Sequence, residues 1–192
     1  MGLCEQYLNS HIQSDCNNPS FEGYEHKGWI INKSDVANYK LKEKTGGGIS
    51  VTLESLTLKK GAQAFNIISM GTQPTPSKVD GARGTFTSYF TNGITLVLLN
   101  RTPKVVEDIV IPMNSGLEVV VILQPKQKNT DGTPMFEVYG LTKGLTGLAR
   151  RDEYNTDLQG GWEITLTEEN APVPFHFITD QSIVEGLETP AV

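Results

Sequence analysis

The sequence predicts a mainly β chain: an antiparallel β-sandwich or open barrel with one short helix packed on it, plus extended arms. Three observations carry that expectation. WEITLT alternates, with Trp162, Ile164 and Leu166 on one face and Glu163, Thr165 and Thr167 on the other, the pattern of a half-buried strand. ITLVLLN and LEVVVILQ are continuous apolar runs, as expected of strands covered on both faces. RTPKVVEDIVIP alone among the well-patterned stretches reads as a helix, and a succession of strands with one inserted helix suits a sheet-on-sheet fold.

Taken in order, residues 1–27 form a polar, irregular arm, read as a loose segment that orders against a neighbour; the alternative is a short helix over Met1 to Gln13 with Leu3, Tyr7, Leu8 and Ile12 on one side. A β domain is expected over 28–180. WIIN is a strand, and SDVANYKL a turn followed by another. TGGGIS is a flexible turn. ISVTLESLTLKK begins with Ile49, Val51 and Leu53 on one face, then changes parity at Leu56 and Leu58. A one-residue bulge near Glu54 and Ser55 would restore a single apolar face. AQAFNIISM is the next strand. GTQPTPSKVDGARG (71–84) reads as a long Gly/Pro/Ser-rich connection, and the two-faced TFTSYF after it suits an extension that packs on a partner.

In the helix, Thr102 is the expected N-cap and Pro103 the first helical residue. Val105, Val106, Ile109 and Val110 make its apolar stripe, Glu107 and Asp108 face solvent, and Pro112 is expected to end it. QPKQKNTDGTPMFEVYG is a hairpin turning at Asp131-Gly132. A glycine-rich run over 140–161 follows, holding Lys143, Arg150, Arg151, Asp152 and Glu153. WEITLT closes the sheet, and APVPFHFI is an edge segment because its prolines cannot donate to a ladder. Residues 181–192 read as an acidic tail.

The bulk numbers narrow the classes. A chain of 192 residues with 38% hydrophobic content can build one core, with much of its length outside it. A net charge of −6 disfavours general binding to DNA or to anionic membranes. The longest apolar runs are too short to span a bilayer as helices, and no secretory signal is read at the N-terminus. Cys4 and Cys16 are the only cysteines, so no disulfide framework and no zinc set is expected.

No catalytic set emerges, and no cofactor or metal site is expected. His176 is the one histidine inside the β region. It alternates with Phe175 and Phe177, which makes it a surface or interface residue, and no GxSxG elbow accompanies it. Neither TGGGIS nor GLTKGLTG matches a phosphate loop between strand and helix. Asp152, Glu153 and Asp157 are the candidate carboxylates for glycoside chemistry, but they are interleaved with Arg150 and Arg151, which nearly cancel the charge of RRDE.

ITLVLLN, TPKVVEDIV, LEVVVILQPK, FEVYGLTKGL, LQGGWEITLT and APVPF follow one another in an order that resembles the tail-tube and neck-ring proteins of tailed bacteriophages. More narrowly, the chain is similar to virion ring proteins of crAss-like phages of Bacteroides, best over 94–178. The resemblance implies a non-enzymatic structural protein assembled into a ring around a DNA channel, with a dodecamer favoured and a hexamer as the alternative. It implies portal, ring or tail proteins as neighbours, passage of DNA without specific binding, no membrane, and a place in the virion neck or tail after assembly in the host cytoplasm. Residues 72–93 correspond to the family's hairpin extension, within a loop or hairpin region at 71–93. The subunit-interface residues expected are Lys78, Asp80, Arg83, Phe86, Tyr89, Arg150, Arg151 and Asp152. The competing reading is a carbohydrate- or receptor-binding sandwich of a baseplate or fibre, with Trp162, Tyr154 or Tyr139 as stacking platforms.

Overall fold

The computed structural model describes residues 23–44, 49–68, 75–84, 88–129, 131–154 and 160–190. The expected fold class is observed: antiparallel sheets packed face to face, with a short helix against them. Strand β1 (Tyr24–Asn32) leads through a 3-10 turn (Lys33–Asp35) into β2 (Val36–Leu41), and β3 (Leu53–Leu58) pairs back on β2. Next come β4 (Phe65–Ile68), β5 (Thr75–Arg83) and β6 (Ser88–Leu98), then helix α1 (residues 103–114) and β7 (Val119–Pro125). The chain finishes with β8 (Phe136–Tyr139), β9 (Thr146–Arg151), β10 (Trp162–Ala171), β11 (His176–Ile178) and helix α2 (Gln181–Leu187).

The strands form a five-stranded sheet in the order β11-β8-β7-β1-β4, a four-stranded sheet β5-β6-β10-β9, and the β2-β3 pair. The five-stranded sheet is covered on both faces, and β7 shows how. Val120 and Ile122 join Trp29, Leu53, Leu56, Phe136, Val184 and Leu187 in one core. Val119, Val121 and Leu123 join Ile94, Leu96, Met113, Ile164 and Leu166 in the other. The β2-β3 pair and α2 therefore cover one face, and the four-stranded sheet with α1 covers the other. This is why LEVVVILQ reads as unbroken apolar sequence: every residue from Val119 to Leu123 is buried.

The bulge expected in β3 is present. Leu41 pairs with Leu53 but Lys40 pairs with Ser55, so Glu54 is the extra residue, and both Leu53 and Leu56 are buried. Ile49, grouped with them in sequence, is 55% exposed.

Several boundaries differ from the sequence reading. β1 starts at Tyr24, inside the expected arm, because Tyr24 already pairs with Pro125. Residues 75–83, expected as loop, are strand β5, held on the ladder of β6. WEITLT is not the closing strand: β10 lies between β6 and β9. Pro112 does not end α1, which continues to Asn114. Proline lacks an N–H and crowds the carbonyl four residues back. The helix meets it with a wide π turn over Val106–Val110, where the Ile111 N–H bonds the Val106 carbonyl. Thr102 stands at the N-cap, but its side chain makes no capping bond.

Residues 181–187, expected within an acidic tail, are a helix. Asp180 Oδ1 caps it, accepting from the Ser182 N–H at 3.0 Å. Val184 and Leu187 are buried, and burial of this kind is worth about 1.5–3 kcal/mol per side chain. Glu188, just past the helix, accepts from Lys27 Nζ at 2.5 Å and Trp29 Nε1 at 2.8 Å, which ties α2 to β1.

Candidate subunit interface

The residues singled out by sequence fall into two groups. Lys78, Asp80 and Arg83 lie on β5, and Tyr89 lies opposite Ala82 on β6. Arg150 and Arg151 end β9, and Asp152 follows. Phe86 and Asp157 lie outside the described residues, as do the arm residues 1–22 and residues 45–48 of TGGGIS. β5 and β9 are the two outer strands of one sheet with β6 and β10 between them. Three strand spacings of ~4.8 Å separate them by about 14 Å. The structure does not bring the two groups together; it places them at opposite edges.

The β5-β6 ribbon extends past the core. Its ladder runs to Arg83 opposite Ser88, whereas burial on β6 begins at Asn92. Lys78 and Asp80 pair at 2.7 Å with both side chains more than half exposed. Asp80 holds the Lys78 ammonium above its usual range, chiefly through that hydrogen bond. Across the ribbon Gly81 faces Phe90, and a Cβ on Gly81 would stand 3.2 Å from the Phe90 ring. The ring thus packs over a residue with no side chain.

At the other edge, β9 is reached through the glycine-rich turn. β8 belongs to the five-stranded sheet and β9 to the four-stranded one, so residues 140–145 carry the chain from one layer to the other. Gly140 has φ +76° and Gly144 φ +94°. The Gly144 N–H bonds the Gly140 carbonyl at 2.9 Å, and Leu145 exchanges both backbone bonds with Val119. Lys33 Nζ donates to the Leu141 carbonyl from the far side. Gly147 lets β9 close on β10, because a Cβ there would lie 2.6 Å from Leu166 Cδ2. These glycines build a layer crossing.

The charges of RRDE have partners within the chain. Arg150 Nε and Nη2 reach Glu163 Oε1 at 2.7 and 2.6 Å. Arg151 donates to Glu153 and, through Nε, to the Gly160 carbonyl at 2.9 Å. Arg101 Nη1 joins Glu153 at 3.2 Å. Asp152 Oδ1 accepts the Tyr154 N–H at 3.0 Å, closing a local turn. These pairs are exposed, so each contributes little to stability.

Exposed apolar side chains are what sequence reading missed. Leu148 is 72% exposed on β9, and Phe65 and Ile68 on β4 are 51% and 75% exposed. FNII has apolar residues at both parities in a short strand, which is the available signal for the second site. Beside β4 a cavity of about 630 Å³ opens between the sheets, lined by Ile30, Phe65, Ile67, Leu98, Ile109 and Met113 among others, with Lys104 and Asp108 included.

Several polar groups inside the fold are hydrogen-bonded to one another. Glu137 Oε2 accepts from Tyr24 and Tyr139 hydroxyls, each at 2.7 Å. Burial, with Glu137 adding to it, raises both phenols above their usual range. Glu168 bridges Asn92 Nδ2 at 3.0 Å and the Lys143 N–H at 3.1 Å. His176 is not a surface residue: it is buried, its ring 6.3 Å from that of Tyr39. Burial first, and Lys33 second, lowers its pKa. Tyr139 is buried and unable to serve as a stacking platform, Trp162 is half-buried, and Tyr154 is 94% exposed. Among the described residues no group of three or more His, Cys, Asp or Glu could hold a metal ion, and no helix is long and apolar enough to cross a membrane.

The architecture defines the chain as an antiparallel β-sandwich with an exposed β-ribbon. No family model, curated protein or solved structure matches it.

Proposed function

We propose that the chain is a structural subunit that assembles side by side into a ring, as the sequence's resemblance to phage neck and tail proteins implies. The observation that supports this reading is the four-stranded sheet. Its outer strands β5 and β9 pair with β6 and β10 only on their inner sides among the described residues. An unpaired edge is a template for another strand. Two different edges on one subunit suit a heterologous, head-to-tail contact, which closes into a ring when the rotation permits. Of the residues expected at the interface, Lys78, Asp80 and Arg83 lie on β5, Tyr89 lies on the adjoining β6, Arg150 and Arg151 end β9 and Asp152 follows it, while Phe86 lies outside the described residues. In the ring, DNA passes through the channel without specific binding, the neighbours are portal, ring or tail proteins of a virion, and no chemistry is required of the subunit.

Native mass spectrometry and negative-stain imaging of the purified chain over a concentration series test the reading. A closed ring of fixed copy number, twelve by preference or six, is the expected result. A monomer at every concentration, together with its absence from virions of the source phage, would refute it.

A further inference from the structure

β9 is the outer strand of the four-stranded sheet, and the end of α1 packs against it. Val110 and Met113 are buried and anchor the helix there. Gly147 has no side chain to compete for that space, and the Met113 sulfur lies 3.7 Å from where its Cβ would stand. Asn114, the last residue of α1, is exposed, so water alone could meet its amide. Instead its Oδ1 accepts the Ala149 N–H at 2.9 Å. An N–H given to α1 is not given to β10, so Ala149, opposite Ile164, turns its backbone N–H to the outer edge. The register with β10 runs without a shift from Arg151 to Thr146, so Gly147 and Arg151 turn outward by the same period of two. A joining strand would use these three N–H groups, and Asn114 holds the middle one.

We propose that Asn114 is a gate on this edge: its side-chain carbonyl stands in for a neighbouring strand's carbonyl and holds the free subunit back from pairing through β9. The proposal rests on the reading of β9 as a ring-interface strand and adds how that contact is controlled. The incoming strand, from a second copy of this chain, must displace Oδ1 from Ala149. One hydrogen bond is then exchanged for another, and that position contributes nothing to joining. Joining is favourable only when the partner also supplies bonds at Gly147 and Arg151 and cover for Leu148, which is 72% exposed beside the gate. A stray extended segment that reaches one position alone is not captured, which protects an edge that would otherwise be a template for any strand. The residue type suits the task. An asparagine amide is neutral, so the gate opens without leaving a charge against the neighbour. Aspartate would hold the same N–H more strongly, and alanine would not hold it at all.

The test uses the full chain. In the monomeric parent the Ala149 amide is expected to exchange with solvent at least about tenfold more slowly than the Arg151 amide, read by NMR. Asn114→Ala should abolish that protection and lower the concentration at half-assembly about two- to tenfold, the worth of one hydrogen bond, read by sedimentation velocity. Asn114→Asp keeps the shape and strengthens the bond, so it should raise that concentration. An unprotected Ala149 amide in the parent overturns the inference, whatever the variants do. Shifts of the same sign in Asn114→Ala and Asn114→Asp also overturn it, because the bond to Ala149 would not be what governs assembly. If Asn114→Ala assembles no more readily than the parent while Leu148→Lys weakens assembly, the gate falls and β9 stands as an interface strand. If neither substitution alters assembly, β9 is not an interface strand, and the inference falls with that reading.

Discussion

Replacing Gly140 by alanine tests whether the glycine-rich turn is a layer crossing fixed by close packing. Two penalties apply. At φ +76° an L-residue is strained, at about 1–2 kcal/mol. The new Cβ would also meet the Val119 carbonyl oxygen at 2.7 Å and the Leu145 backbone nitrogen at 2.9 Å. Those atoms belong to the Val119–Leu145 bridge and cannot swing aside as a side-chain end could, so overpacking adds about 1–3 kcal/mol. The sum, about 2–5 kcal/mol, is a large share of the 5–15 kcal/mol typical of a domain. Gly132→Ala is the control: its φ is +81°, but a Cβ there meets nothing within 4 Å. It should cost the strain alone, about 1–2 kcal/mol. Urea unfolding of both variants measures the difference, with Tm falling about 2–4 °C per kcal/mol at this chain length. If the two variants are equally destabilised within ~0.5 kcal/mol, the packing argument for Gly140 is wrong, since additivity errors are of that size.

Three further outcomes are expected. Glu137→Ala leaves the buried Tyr139 hydroxyl and the part-buried Tyr24 hydroxyl without their shared acceptor and should cost about 2–6 kcal/mol in denaturant unfolding, at 1–3 kcal/mol per unsatisfied group; a loss below ~1 kcal/mol would show the network to be dispensable. His176 has a lowered pKa in the fold, so the unfolded chain takes up its proton first as pH falls. Its contribution is intact above about pH 6.5 and is lost from there down to its folded pKa, with a slope of at most about 1.4 kcal/mol per pH unit that His176→Gln should remove from the stability curve. Leu148→Lys puts a charge on an exposed edge position, so it should change fold stability by no more than ~0.5 kcal/mol yet lower the assembled fraction seen by sedimentation velocity; unaltered assembly would count against β9 as an interface strand.

What could be read in the sequence follows from how many faces each strand buries. β10 packs one face, so alternation puts Trp162, Ile164 and Leu166 inward; Ile164 and Leu166 are buried, and Trp162, at the start of the strand, is half-buried. The bulge in β3 was legible because a parity slip has few other physical causes. His176 was misplaced because β11 belongs to a sheet covered on both sides, where alternation distinguishes two cores and not inside from outside. β5 is not legible from the residue pattern because its side chains from Lys78 to Arg83 are exposed, leaving no hydrophobic period to detect; only the resemblance implies a hairpin there. β9 escaped because its inward positions are Gly147 and Ala149, too small to mark a face. The helix α2 was hidden by its acidic context, although Asp180, Ile183, Val184 and Leu187 carry a cap and a helical spacing.

The same division separates residues that hold the fold from residues free to make contacts. The five-stranded sheet is enclosed by the β2-β3 pair and α2 on one side and by the four-stranded sheet with α1 on the other. Its residues, and the crossing at Gly140 that leaves it, should register in stability. The four-stranded sheet packs one face through Ile94, Leu96, Ile164 and Leu166, while Thr95, Thr165 and Thr167 take the opposite parity on the other face. Near them Glu163 is matched by Arg150, and Leu148 and Val97 share the face, so this stretch holds hydroxyls, apolar side chains and a neutralised pair despite the chain's net charge of −6. A face of that kind neither attracts nor strongly repels a polyanion. Under the ring proposal it is the face suited to the channel, because β5 and β9, which border it, are the strands that proposal assigns to neighbouring subunits.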